Sequence, residues 1–185
     1  MFPTIIEERD LNITAIDVFS RLMMDRIIFL GQEIDPDIAN IVIAQLLYLD
    51  QTPNKDITIY INSPGGDVDS GLAIYDTMQF VSARIKTVCI GLAASMASVI
   101  LVGGDTRLAL PHSKILIHQP HGVVGGQAKD IVITAEEVKK DYNTLASIIA
   151  KHTGKDFEKV YNDMDRDNWM NPQEALAYGI IDKII

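Results

Sequence analysis

The chain has 185 residues, 48% hydrophobic and 22% charged, which suits a globular protein with a sizeable core. Its formal net charge of -9 argues against nucleic acid as a partner, because phosphate binding needs basic patches. One cysteine excludes a disulfide framework, and nothing resembles a signal peptide or an apolar run of about 20 residues, so the expectation is one cytoplasmic domain, 1–185, with no membrane partner.

Short apolar runs rich in β-branched residues alternate with helical patterns, which predicts an α/β fold. A buried strand over 26–30 stops at Gly31. Asp35 or Asp37 can then cap a helix that buries Ile38, Ile41, Val42, Leu46 and Leu49. The next strand, 57–61, runs into the turn Asn62-Ser63-Pro64-Gly65-Gly66, and a helix over about 69–81 follows. A third strand, 87–90, leads into Gly91-Leu92-Ala93-Ala94-Ser95-Met96, and 95–102 reads as a helix closed by Gly103-Gly104. Cys89 lies inside that strand and reads as a buried apolar residue. Two short strands, 106–110 and 114–118, flank Pro111. The glycine-rich segment 122–126 cannot pack a core by itself. After it, Ile131, Ala135, Val138, Tyr142, Leu145 and Ile149 recur in steps of four and three, one narrow apolar seam along a helix. Glu136 and Lys140 lie on its solvated side, and His152 reads as a solvated residue at its end. Such a seam meets either its own domain or a helix of another subunit.

The chemistry concentrates around Ser95. A turn with unpaired N–H groups and a serine at a strand-to-helix junction suggest a nucleophile facing an oxyanion hole. The segment is not the Gly-x-Ser-x-Gly elbow, and a small residue chosen for tight packing is the bland alternative. His118 ends the 114–118 strand, where an imidazole can face a cleft on rigid structure. His112 follows Pro111 in a turn, and His121 lies in the glycine-rich segment, where positioning is expected to be loose. Asp163, Asp165 and Asp167 alternate, and residue types alone do not say which orients the histidine. No metal site is expected, because cysteine is single and the histidines lack ligand spacing. There is no Gly-x-x-x-x-Gly-Lys-Ser/Thr loop, so ATP is not expected to be hydrolysed by this chain.

Over essentially its whole length the sequence resembles the proteolytic subunits of the Clp protease family. The matching segments include Pro3-Thr4-Ile5-Ile6-Glu7, Asp25-Arg26-Ile27-Ile28, Tyr60-Ile61-Asn62-Ser63-Pro64-Gly65-Gly66, Ala93-Ala94-Ser95-Met96, Ile117-His118-Gln119-Pro120, Arg166-Asp167 and Tyr178-Gly179. The resemblance implies a crotonase-like ββα spiral with a protruding helix-plus-strand handle at about 119–152. It implies serine endopeptidase activity, with Ser95 as nucleophile, His118 as general base and acid, and Asp167 orienting His118. The N–H groups of Gly66 and Met96 match the oxyanion hole. Val68, Gly122, Gly125 and Gly126 match the strand surface that holds extended substrate. Asp165 and Arg166 match residues that pair between two stacked heptameric rings, a tetradecamer that is homomeric or mixed with a paralogue. Tyr60, Phe80, Val88, Ile90 and Ile185 match the docking cleft for an AAA+ unfoldase such as ClpX, ClpA or ClpC. That partner uses the ATP and feeds in unfolded protein, and this chain needs no cofactor. Residues 5–14, within an N-terminal region 1–20 that ends in a first helix, match loops around the axial pore.

The chain departs from the family pattern at Thr58, Asp67, Asp69, Ala97, His121 and Val123, and its 102–107 segment is about two residues shorter than in common members. Two other readings stand beside the peptidase. One is a structural or paralogue-dependent ring subunit with little activity of its own. The other is an acyl-CoA enzyme of the crotonase type, which would need a CoA site and no nucleophilic serine.

Overall fold

The computed structural model describes residues 4–9, 12–52 and 55–185. Strands β1 (Thr4–Arg9) and β2 (Asn12–Asp17) pair antiparallel. The expected axial segment 5–14 coincides with this hairpin, except that residues 10 and 11 lie outside the described residues. Helix α1 (Val18–Met24) follows directly, because the Asp17 carboxylate accepts from the N–H of Phe19 and Ser20. Strand β3 (Ile27–Leu30) leads to helix α2 (Pro36–Asp50), whose cap is Asp35 rather than Asp37: its side chain accepts from Ile38 N–H, and Pro36 begins the first turn.

Strand β4 (Ile57–Ser63), helix α3 (Val68–Phe80), strand β5 (Ile85–Ala94) and helix α4 (Met96–Val102) come next. They are followed by β6 (Thr106–Ala109), β7 (Lys114–Ile117), helix α5 (Ala128–Thr153) and helix α6 (Phe157–Asp163). Strand β8 (Asn168–Met170), helix α7 (Pro172–Tyr178) and β9 (Lys183–Ile184) complete the order. The third expected strand is thus longer at both ends and runs straight to Ser95.

Strands β3, β4, β5, β6 and β9 form a parallel sheet in that spatial order. Strand β5 changes partner along its length. Its first half pairs with β6 through Lys86–Cys89, and its second half pairs with β7 through Leu92–Ala94. The change of partner coincides with a register shift on β4 between Ile61 and Ser63. Asn62 sits in that bulge, and its Oδ1 accepts from Leu92 N–H at 3.1 Å, replacing the backbone partner the bulge removes.

The core lies between the sheet and the helices. Every residue of α4 is buried, and Leu46, Ile59, Ile61 and Ile74 are fully enclosed in the same core. The seam on α5 divides: Tyr142, Leu145 and Ile149 are buried in this chain, whereas Ile131 and Ala135 are exposed. His152 corrects an expectation. It is half-buried, with Nε2 2.8 Å from Tyr75 Oη and its ring edge-on to Tyr75, and burial pushes its pKa down. The last turn of α5 packs beneath α3, so a residue at a helix end is not solvated here. Arg107 reinforces the packing, donating to the carbonyls of His152 and Gly179 while it pairs with Asp182.

Candidate active site

Ser95 occupies the junction between β5 and α4 with φ 55° and ψ -127°, a positive φ that L-residues rarely adopt. Strand pairing brings this about. Ser95 N–H still donates to Leu116 O at 3.0 Å, as the strand would, while Ser95 O already accepts from Ser98 N–H at 2.9 Å, as a helix requires. The single residue between must reverse direction. Although it stands at the helix cap, its hydroxyl makes no capping bond. The hydroxyl is therefore available for chemistry.

The turn after β4 packs directly on this junction. A Cβ on Gly65 would lie 2.7 Å from Ser95 Cβ and 2.9 Å from Met96 N, and a Cβ on Gly66 would lie 2.1 Å from Ile34 O. Both glycines also have positive φ, 91° and 150°, so no other residue fits either place. Ile34 clasps the turn from outside: its N–H donates to Gly65 O and its carbonyl accepts from Asp67 N–H, both at 2.8 Å. Gly66 N–H is left without an acceptor among the described residues, as is Met96 N–H at the first position of α4. Two unpaired donors thus flank the serine.

His118 and Asp167 meet because of strand register. Strands β7 and β8 are antiparallel, with Ile115 opposite Met170, Leu116 opposite Trp169 and Ile117 opposite Asn168. One step further sets His118 opposite Asp167, and Nδ1 lies 3.1 Å from Oδ1. The other two aspartates are engaged elsewhere. Asp163 holds Tyr178 Oη at 2.7 Å and Lys159 Nζ at 2.9 Å, and Asp165 accepts from Gln119 Nε2. The His118 side chain is only 14% exposed, and its Nε2 is buried with no hydrogen-bond partner, so the Ser95–His118 contact is open here. Catalytic contacts are often long in the absence of substrate. Ser95 and His118 line one cleft with Val68, Met96, Ile117 and Leu145, whose free volume of about 10 Å³ is close to that of one water.

The remaining expected residues distribute as follows. Gly122, Gly125 and Gly126 are exposed, and a Cβ on Gly122 or Gly125 would meet nothing, so this chain's own packing does not require glycine there. Asp165 and Arg166 are exposed and 3.8 Å apart. Phe80 is 80% exposed at the end of α3, which composition alone would have placed in the core, and Ile185 is exposed too. Tyr60 stacks on Phe29 with ring centroids 5.6 Å apart, and Ile90 is half-buried. Val88 differs, being 2% exposed between β4 and β6, so it offers no surface in the single chain. Cys89 is buried and its thiol pKa is pushed up, against any nucleophilic role. Among the described residues no cluster of His, Cys, Asp and Glu could hold a metal ion, and no helix is long and apolar enough to cross a membrane. Sequence reading missed Asn62 as the residue that directs β5 toward Ser95; its only signal was its place beside the glycine turn.

The family model described as Clp protease matches residues 9–185. The ATP-dependent Clp protease proteolytic subunit of Bacteroides fragilis is 61% identical, the match covering 99% of this chain and 90% of that protein. The proteins of the same name from Bacteroides thetaiotaomicron and Porphyromonas gingivalis are 60% and 58% identical, each over 99% of this chain and 84% of the relative.

Proposed function

This chain belongs to the Clp protease family, and on that premise we propose that it is a serine endopeptidase subunit of an ATP-dependent protease. Ser95 Oγ attacks the scissile carbonyl, His118 Nε2 takes the hydroxyl proton and passes it to the leaving amine, and Asp167 holds the imidazole through Nδ1. The tetrahedral oxyanion forms between the N–H groups of Gly66 and Met96; losing one such donor in other enzymes costs roughly 2.7–4 kcal/mol. An extended substrate adds as a strand beside 66–68 and 122–126, with Val68, Gly122, Gly125 and Gly126 against its backbone.

The observation that carries this reading is the strained Ser95, its hydroxyl unspent, in one cleft with a histidine already paired to an aspartate. In the same proposal the glycine-rich segment and α5 form the handle at about 119–152 that joins two heptameric rings, with Asp165 and Arg166 at the contact. Phe80, Tyr60, Ile90 and Ile185, with Val88 beneath them, form the docking cleft for an AAA+ unfoldase, which spends the ATP and delivers unfolded protein in the cytoplasm.

The test is hydrolysis of a short unstructured fluorogenic peptide by the purified protein and by Ser95→Ala, with assembly followed by native mass spectrometry. The expected outcome is hydrolysis that disappears in Ser95→Ala while the particle mass is unchanged; a variant that keeps its rate overturns the assignment. The open contact between Ser95 and His118 favours a second reading, a subunit whose site closes only beside a paralogue or unfoldase. An assembled particle inert alone but active on adding that partner selects it.

A further inference from the structure

Among the departures from the family pattern, His121 is the one whose ring lies beside that of His118. Its ring centroid lies 5.4 Å from that of His118, with the two planes at 60°. This tilted arrangement is within the range of favourable contact between aromatic rings. The residues that lead into it are anchored. Gln119 N–H donates to Met164 O at 2.6 Å, and Gln119 Nε2 donates to Asp165 O at 2.5 Å. Pro120 then restricts its own φ, and the chain brings residue 121 back beside residue 118.

His118 needs such support. One edge of its ring is held by Asp167, a side chain that is itself 62% exposed, and the opposite nitrogen has no partner. The ring is 14% exposed, so packing already limits it, but one hydrogen bond leaves it some freedom to tilt. A second ring beside it narrows that freedom. We infer that His121 is a positioning residue that steadies the His118 imidazole for proton transfer with Ser95, an inference that rests on the peptidase reading above.

A residue that steadies a general base acts on kcat more than on KM, and it acts through ring contact rather than through its nitrogens. His121→Ala in the full assembled protein is therefore expected to lower kcat for peptide hydrolysis by roughly tenfold with KM nearly unchanged. His121→Phe, which keeps the ring, is expected to recover most of the loss. Residue 121 is exposed, so native mass and thermal midpoint should match those of the unaltered protein. An unchanged kcat in His121→Ala overturns the inference, as does a Phe variant as slow as the Ala variant, which would assign the role to the imidazole nitrogens. Ser95→Ala, run alongside, separates the two levels: hydrolysis that survives it sinks the peptidase reading, whereas hydrolysis that depends on Ser95 but ignores His121 sinks only this one.

Discussion

The two halves of α5 carry the same apolar period and meet opposite surroundings. Toward its C-terminus, Tyr142, Leu145, Ala146, Ile149 and Ala150 are buried against the chain's own core, and Tyr142 donates its hydroxyl proton to Tyr161 O. Burial of that phenol pushes its pKa up to about 12. Toward its N-terminus, Ile131 and Ala135 of the same seam are exposed, Ile131 by 40%, as are Val132 and Ile133 on other faces by 57% and 60%, after a fully exposed Val123. Helical propensity alone rarely sustains several turns in water, and contiguous exposed apolar groups seek cover. The difference teaches that periodicity reports which side of a helix is apolar but not what covers it. In the proposed double ring, the uncovered half is the part that meets the other ring.

The largest expected effect breaks the buried half. Ile149→Ala should lose about 2–5 kcal/mol of stability, read as a lowered midpoint in thermal unfolding, because a core methyl cluster is replaced by a cavity. Equal destabilisation by Ile133→Ala would erase the contrast between the halves. Next comes a charge on the free half: Ile133→Asp should leave circular dichroism unchanged but reduce the sedimenting particle to single rings or smaller. A particle of unaltered mass would remove this half from the ring contact.

A smaller effect should come from His152 in the last turn of the buried half. Its folded pKa is depressed, first by burial and then by Lys151 and Arg107, so the unfolded chain binds the proton more readily. Stability should therefore be complete above the unfolded value of about 6.5 and decline as pH falls below it, toward the folded pKa. His152→Gln should flatten that part of the curve; an equally steep decline would assign it to other groups. The smallest change is expected at the exposed Lys140–Glu137 pair, 2.7 Å apart on the solvated face. Lys140→Ala should leave the thermal midpoint where it is, and a clear drop would mean that the pair is covered in the particle.

Much of the site was legible because it is written locally. The apolar run into Ala94-Ser95-Met96 located the serine at a strand-to-helix junction, and Ser63-Pro64-Gly65-Gly66 read directly as a tight turn. The strand ending at His118 was visible for the same reason. What stayed hidden depends on partners distant in sequence. Residue types alone could not tell Asp167 from Asp163 and Asp165; only the resemblance pointed to it, and the pairing of β8 with β7 that sets it opposite His118 is a contact no local pattern records. The cap of α3 is Asp67, whose carboxylate accepts from Ser70 N–H, although its charge beside the glycine turn was the more visible property. His152 looked solvated because helix ends usually are, and only tertiary packing against Tyr75 reverses that. The elements after residue 155 are short, and nothing in their apolar spacing announces them.

The pairing of β7 with β8 also orders events in time. Chains emerge from the ribosome N-terminus first, at roughly 5–20 residues per second. Ser95, the glycine turn and His118 are all made by residue 118, but the strand that follows Asp167 ends at Met170, and β9 joins the sheet only at residues 183–184. A nascent chain that has made Ser95 and His118 therefore still lacks Asp167, the group proposed to orient His118. In the proposed reading, the Ser95–His118–Asp167 set is therefore complete only once β8 has been made and has paired with β7.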